Sequence, residues 1–431
     1  MAEILPIKGI RYNTKSIESI NDVVTPPYDV ISPSAQQLLY DKHPYNIIRL
    51  ELSKSYPADS ETDNRYTRAA DTFNNWQEKG ILIQDQLPSI YMYQQEFISN
   101  GNTYFRTGFI CGLKCDEYGP GKVLPHEETL PKAKKDRKLL LELCNANFSP
   151  IFGLYDDPEK VVQNSLATFC NNRQADHTVM DENQTVHRVW AINDNNIISL
   201  IQNHLANKTI YIADGHHRYE TALAYGKEMN ATGKQGYDRV LITLVNLHDE
   251  GLIVLPTHRM IKNLSVFDFE KLLANAEQYF DTKRISATKE AISNELALAS
   301  NPSFVLYSGN KQAIVLTLKA HLDPVNLHKA DKCREWKKLD VSLLQTLILE
   351  KQLAIGAKER ASGDYLAFTR DADEAISQVD AGNYQLSILM RPTKVEQVTA
   401  VATAGDKMPQ KSTYFYPKLL TGLVINPLGT K

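Results

Sequence analysis

The chain has 431 residues, 42% of them hydrophobic and 23% charged, the composition of a globular protein long enough for two or three domains and a substantial core. Its 48 Lys and Arg against 51 Asp and Glu leave a net charge of -3, which supplies no global field to draw in nucleic acid or an anionic membrane, so any anion site must be local. No run approaches the roughly 18 apolar residues of a membrane helix, MAEILPIKGIRYN lacks the basic and apolar regions of a signal peptide, and a cytoplasmic location is expected.

In chain order, TPPYDVI (25 to 31) is a double-proline turn holding Tyr28 and Asp29. Residues 61 to 80, ETDNRYTRAADTFNNWQEKG, have early acids, apolar positions at Tyr66, Ala69, Ala70, Phe73 and Trp76, and a glycine stop, which predicts a helix. SIYMYQQEF and TYFRTGFICGLK flank ISNGNT, a hairpin with an Asn-Gly turn. In VLPHEETLPKAKKDRKLL (123 to 140), His126, Glu127 and Glu128 precede a proline-marked turn. Lys132, Lys134, Lys135, Arg137 and Lys138 then crowd a helix start, where the dipole disfavours positive charge. The lysines suit an anionic partner or a solvated face equally; His126, Glu127 and Arg137, braced by prolines, are the stronger site candidates.

Residues 186 to 259 alternate most regularly: VHRVWAI a strand, NIISLIQNHLAN a helix, TIYIA a buried strand, HRYETALAYGKEMNA a helix, RVLITLVNLHD and GLIVLPTHR two further strands. Beyond 265 come helices at FDFEKLLANAEQYF and TKEAISNELALAS, strands at SFVLYS and AIVLTLK, and a longer helix at LDVSLLQTLILEKQLAI. A strand at YQLSILM and a helix at KVEQVTAVATAG, closed by Gly405, follow. The expected organisation is a mixed α/β protein with a mixed α/β region over 1–150, a central α/β module over 151–262 and a C-terminal α/β region over 263–431. The five cysteines (Cys111, Cys115, Cys144, Cys170, Cys333) are odd in number and lack zinc spacing, as expected of reduced, mostly buried thiols.

The chemistry concentrates in IYIADGHHRYETAL (210 to 223). A strand ending at Ala213 and turning through Asp214-Gly215 into a helix near His216 presents free backbone N–H groups and the positive end of the macrodipole, the physics of an anion site. Gly215 permits close backbone approach, Arg218 offers a planar fork, and His216 and His217 can donate to phosphate or move a proton near neutral pH. As sequence neighbours, the two histidines are poorly placed to ligate one metal. Two further loops share this character: LPTHRM places Thr257, His258 and Arg259 at a strand end, and MPQKSTYFYPK packs Lys411, Ser412, Thr413 and Tyr414 between prolines. No G-x-x-x-x-G-K-[ST], G-x-G-x-x-G, H-E-x-x-H or G-x-S-x-G occurs, which disfavours P-loop kinases, Rossmann dehydrogenases and serine hydrolases.

IYIADGHHRYETAL, with PPYDVIS, NIIRLEL, VLPHEETLPKAKKDR, LPTHR and MPQKSTYFYPKL, resembles the bacterial and archaeal family of domain of unknown function 1015 along nearly the whole chain. The turn at Asp214 also resembles the ParB/sulfiredoxin fold, whose strand, D/G-G-x-[HR]-R turn and helix make a nucleotide-phosphate pocket. His216 stands where sulfiredoxins carry their reactive cysteine, and no added DNA-binding helix-turn-helix is evident. The remaining branch is similar to free serine kinases. That resemblance implies phosphoryl transfer on a small metabolite, serine or O-phosphoserine first, with ATP or ADP as nucleotide and Mg2+ as cofactor. Asp214, His216, His126 and Glu127 would be the catalytic candidates. Gly215, His217, Arg218, Arg137, His258, Arg259, Lys411, Ser412 and Thr413 would bind phosphate, and Tyr28, Asp29, Thr257 and Tyr414 would complete the pocket. A phosphatase acting on phosphoserine-like esters and a non-catalytic nucleotide-binding regulator are the other two readings.

Overall fold

The computed structural model describes residues 2–429 and divides the chain into two units: one from the N-terminus to Ile253 plus the segment from Pro417 onward, the other Val254–Tyr416. The first is built on a nine-stranded mixed sheet. Its strands are β1 (Ile4–Leu5), β2 (Ile90–Ser99), β3 (Asn102–Lys114), β4 (Val123–Leu124), β5 (Ile151–Tyr155), β6 (His177–Met180), β7 (Val186–Ile192), β8 (Ile210–Asp214) and β9 (Arg239–Asn246). Eight run in the order β4-β8-β5-β9-β3-β2-β7-β6, with β1 paired to β3. Strands from the expected 1–150 and 151–262 regions thus interleave, and the boundary expected at residue 150 falls inside one sheet. Hydrophobic periodicity fixes what each strand is but not which distant strand it pairs with.

Local grammar explains the elements nearest the site. Asn100 and Gly101, both at positive φ (49° and 77°), make the tight turn between β2 and β3. Helix α1 (Ile48–Glu51) is a single turn, and α2 (Arg65–Glu78) begins at a capping box of Asn64 and Thr67. Helix α3 (Pro131–Cys144) opens on proline and ends at Asn145 in the left-handed region, φ 47°. Helices α4 (Val161–Cys170) and α5 (Asn195–Leu205) bury Val162, Leu166, Ile198, Ile201 and Leu205 in the same core as the sheet. Helix α6 (His216–Ala231) adds Tyr219, Ala222 and Tyr225. A second core joins α2 and α3 through Ala69, Phe73, Trp76, Leu140 and Cys144.

The C-terminal segment returns to this first unit: Thr421 bridges Thr25, Ile425 bridges Ile10, and Asn426–Pro427 pairs with Ala146–Asn147. The expected 263–431 region is therefore divided between the units.

The second unit carries an all-antiparallel sheet in the order β11-β13-β12-β15-β10-β14. These strands are β10 (His258–Ile261), β11 (Phe280–Ser286), β12 (Ser303–Tyr307), β13 (Gln312–Leu318), β14 (Leu366–Thr369) and β15 (Leu386–Met390). The helix expected over 339–355 is α-helical for one turn, Asp340–Leu343, and then a π-helix, Leu344–Glu350. Buried Leu343, Leu344, Leu347 and Ile348 signal an apolar face but not the width of the turn. Cys111, Cys115, Cys144 and Cys170 are buried free thiols and Cys333 is half-buried. Among the described residues no helix is long and apolar enough to cross a membrane.

Candidate functional site

Strand β8 delivers Asp214 to the start of α6. The register of β8 against β5 shifts between Ile212 and Asp214, an irregularity of the bulge type that re-aims a side chain at a strand end. Gly215, at φ +94°, is the N-cap of α6; a Cβ there would stand 2.8 Å from Ile151 Cγ2 and 3.0 Å from Arg218 Nη2, so the turn requires glycine. Gly215 has no side chain to cap this helix, which leaves the N–H groups of His217 and Arg218 to a ligand or water.

Asp214 accepts a 2.6 Å hydrogen bond from Lys418 Nζ, and Arg218 Nη2 lies 3.9 Å away. Burial opposes charge on Asp214, but the Lys418 ammonium and then Arg218 outweigh it and hold the carboxyl below the usual carboxylate range. Lys418 closes the MPQKSTYFYPK stretch, seven residues beyond the expected Lys411. Arg218 donates from Nη1 to Ser149 Oγ (3.1 Å) and the Pro150 carbonyl (2.7 Å), while its buried Nε has no protein partner.

The two histidines of the turn differ in role. His216 is buried, and its Nε2 accepts the His126 backbone N–H at 3.1 Å, which puts the proton of the neutral ring on Nδ1, 3.8 Å from Glu127 Oε2. His126 is buried against it, rings edge-to-face with centroids 4.6 Å apart, and its Nδ1 donates to the Ile212 carbonyl at 2.7 Å. Burial lowers the His126 pKa to about 4, against the Ile212 hydrogen bond and the Asp214 charge, so the ring is neutral at pH 7. His217 Nε2 instead accepts the Leu130 N–H at 2.9 Å and tethers the start of α3. Its pKa is lowered, chiefly by burial.

Arg137 is buried rather than open to a ligand. It donates to Glu51 Oε1 (3.0 Å) and the Glu51 carbonyl (3.2 Å), and to Asp136 Oδ2 (2.8 Å), and its guanidinium stacks 4.0 Å from the Tyr28 ring centroid. Tyr28 also faces Arg218, at 5.9 Å, and burial raises its phenol pKa against those two cations. Asp29 beside it is exposed. Glu51 is 2% exposed and accepts from Ser149 Oγ as well (2.9 Å). Glu51, Arg137, Ser149, Arg218 and Thr221 line a cavity of about 40 Å³, and the buried Thr221 Oγ1 is unpartnered. Two of the four lysines of α3 meet protein acids: Lys134 bonds Glu220 (3.0 Å) and Lys138 bonds Glu228 (2.6 Å).

The structure thus gathers Asp214, Gly215, His216, His217, Arg218, His126, Glu127, Arg137 and Tyr28 in the first unit and adds Glu51, Ser149 and Lys418. Glu51 had one signal, an acid among the apolar residues of NIIRLEL; Lys418 had none beyond its place in the quoted loop. Apart from the exposed Asp29, the other candidates lie in the second unit. His258 is buried, its Nδ1 accepting the Met390 N–H (3.1 Å), with a pKa lowered to about 4 by burial and then by Arg259. Arg259 is buried and donates to the Thr257 carbonyl and the Lys411 carbonyl (3.2 Å); burial lowers its pKa to about 10. Thr257 Oγ1 is buried without a partner, Lys411 sits at φ 55°, the Ser412 carbonyl accepts from Thr393 (2.8 Å), and Tyr414, next to Thr413, stacks under Arg370 at 4.3 Å.

Among curated proteins none matches the sequence. Similar solved structures include a free serine kinase in complex with AMP (11% identity, 71% of this chain and 88% of that one, TM-score 0.37). A conserved hypothetical protein from Pyrococcus furiosus is also similar (13%, 71% and 92%, TM-score 0.33), as is SbnI with a C-terminal truncation from Staphylococcus aureus (14%, 69% and 82%, TM-score 0.32). Residues 4–342, more than three-quarters of the chain, match the profile of the family described as protein of unknown function DUF1015, and the chain belongs to that family.

Proposed function

We propose that the first unit is a phosphoryl-transfer site acting on a small hydroxyl-bearing metabolite. The observation that supports it is the uncapped α6 N-terminus at Gly215 with an ionised carboxylate, Asp214, and two cations, Lys418 and Arg218, beside it. Such transfer depends mainly on positioning and charge neutralisation. In this reading the N–H groups of His217 and Arg218 and the unpartnered Arg218 Nε receive phosphate oxygens. Asp214, a weak base because its pKa is depressed, orients the acceptor hydroxyl by accepting its hydrogen bond. The neutral His126–His216 pair, with Glu127 facing Nδ1 of His216, fixes the turn and holds a proton close to Asp214. Serine as acceptor and a nucleotide as donor rest on the motif resemblance to free serine kinases.

Magnesium would accompany the nucleotide. Among the described residues no group of three or more His, Cys, Asp or Glu side chains is placed to hold a metal. A nucleotide-borne magnesium ion needs only one or two carboxylates beside phosphate oxygens and water, and Asp214 is the carboxylate available to it. Incubating the full chain and magnesium with ATP, ADP or pyrophosphate plus serine, and separately with O-phosphoserine, tests the reading by phosphorus NMR. A new phosphoserine resonance supports the kinase direction. Loss of O-phosphoserine without nucleotide moves the assignment to a phosphatase, and nucleotide protection against heat with no turnover moves it to a binding protein.

A further inference from the structure

Three cross-strand neighbours form a buried polar row on the sheet of the first unit: His187 on β7 faces Gln95 on β2, which faces Arg106 on β3. All three are at most 1% exposed. A polar row in the middle of a sheet costs free energy unless its groups are paired. Here the pairing runs to the returning C-terminal segment. Arg106 donates from Nε to Gln95 Oε1 (2.9 Å) and from Nη2 to the Pro417 carbonyl. That bond fixes the Gln95 amide with Nε2 outward, where it donates to the Lys418 carbonyl (3.0 Å) and to His187 Nδ1 (3.4 Å). His187 Nδ1 also meets the Tyr93 hydroxyl (2.6 Å), which accepts the Leu420 N–H (3.3 Å), and its Nε2 faces Asp181 (3.2 Å). Residues 417, 418 and 420 are thus each held by their backbone from one row of side chains.

We propose that Arg106, Gln95 and His187 with Tyr93 are positioning residues that hold the Pro417–Leu420 backbone so that Lys418 Nζ meets Asp214. Lysine has four flexible methylenes and does not place a point charge by itself; fixing its own carbonyl and the preceding one removes the backbone freedom that would otherwise swing the side chain off the carboxylate. The Arg106 guanidinium, over the Phe152 ring at 4.8 Å, reaches towards the same strand end, since Phe152 is the cross-strand partner of Asp214. The catalytic consequence of this placement rests on the phosphoryl-transfer reading, but the placement itself is open to measurement without substrate.

The test is the acetylation rate of Lys418 under limiting N-hydroxysuccinimide acetate, followed by peptide mass spectrometry on the wild-type chain, Gln95→Glu and Arg106→Lys, with Asp214→Asn as the reference for Lys418 without its carboxylate partner. Gln95→Glu keeps an acceptor for Arg106, now a charged one, and removes the Nε2 donor to the Lys418 carbonyl and, more weakly, to His187 Nδ1, which keeps the Tyr93 hydroxyl. It is therefore expected to fold. Arg106→Lys keeps the cation and loses the fork. Lys418 is expected to react on the order of tenfold faster in both, the factor of about one charged hydrogen bond, while exposed Lys114 reacts at its wild-type rate. A wild-type Lys418 rate in folded Gln95→Glu overturns the inference whether or not the protein transfers phosphate, and Gln95→Glu decides alone if Arg106→Lys does not fold. Absence of phosphoryl transfer with the expected Lys418 rates overturns only the reading of the reaction and leaves the positioning row standing.

Discussion

Lys418→Met isolates the ion pair on which the site depends. Methionine keeps most of the stem volume and removes the ammonium, leaving Asp214 with Arg218 Nη2 at 3.9 Å as its nearest cation. The pair is partly buried, with Lys418 and Asp214 side chains 16% and 21% exposed. Removing one partner of a fully buried pair costs about 3–5 kcal/mol; the residual exposure and Arg218 reduce that here to about 2–4 kcal/mol. The pH dependence gives the sign. The folded-state pKa of Asp214 lies below its unfolded value, so the pair's contribution is complete above the unfolded carboxylate pKa, about 3.9, and is lost as pH falls through the folded value. In Lys418→Met that depression is largely removed. The stability gap to wild type is therefore full from pH 7 down to about pH 4 and narrows only on further acidification, and Asp214→Asn in the same background recovers about 1–3 kcal/mol through coupling. Urea unfolding followed by tryptophan fluorescence reads it, since Trp76 and Trp190 belong to the first unit. A gap below about 0.5 kcal/mol at pH 7, or additive single and double variants, would refute the pairing.

Further outcomes follow from neighbouring geometry. Gly215→Ala combines a positive φ with a Cβ 2.8 Å from Ile151 Cγ2 and is expected to destabilise by about 2–4 kcal/mol in thermal or urea unfolding; a loss below about 1 kcal/mol would contradict the described turn. His126 is expected to titrate near pH 4 in an imidazole NMR titration, so acidification below the ordinary histidine pKa of about 6.5 costs folding free energy; a midpoint at the ordinary value would contradict its burial. Glu51→Ala leaves Arg137 with Asp136 as its carboxylate partner and Ser149 without its acceptor, and is expected to cost about 2–4 kcal/mol, with Glu51→Gln milder because it keeps an acceptor for both.

The turn at the centre of the candidate site was legible in the sequence because its signals are local. A strand, a glycine at a forced positive φ and a helix start are contiguous in ADGHHR, and Gly215, Asp214 and His216 occupy the places this predicts. The hairpin of β2 and β3 was legible for the same reason, through Asn100-Gly101. What the sequence concealed is long-range. Nothing in the periodicity of 151–262 indicates that β5, β8 and β9 share a sheet with β2 and β3, or that the chain leaves this unit at residue 253 and returns at Pro417. Lys411 and Lys418 are chemically alike within one loop, and only the fold distinguishes the one that meets Asp214. Arg137 was expected on the ligand and is instead paired to Glu51, an acid whose burial is invisible until α1 and α3 are brought together.

The most direct test of phosphoryl transfer at Asp214 is phosphorus NMR of wild type and Asp214→Asn side by side, each with magnesium, serine and ATP or ADP, with nucleotide affinity measured on the same samples. An O-phosphoserine resonance is expected to grow with wild type and to be lost in Asp214→Asn while nucleotide affinity is retained. Equal turnover by the two proteins, or no change in any phosphorus resonance with folded wild type, would contradict it.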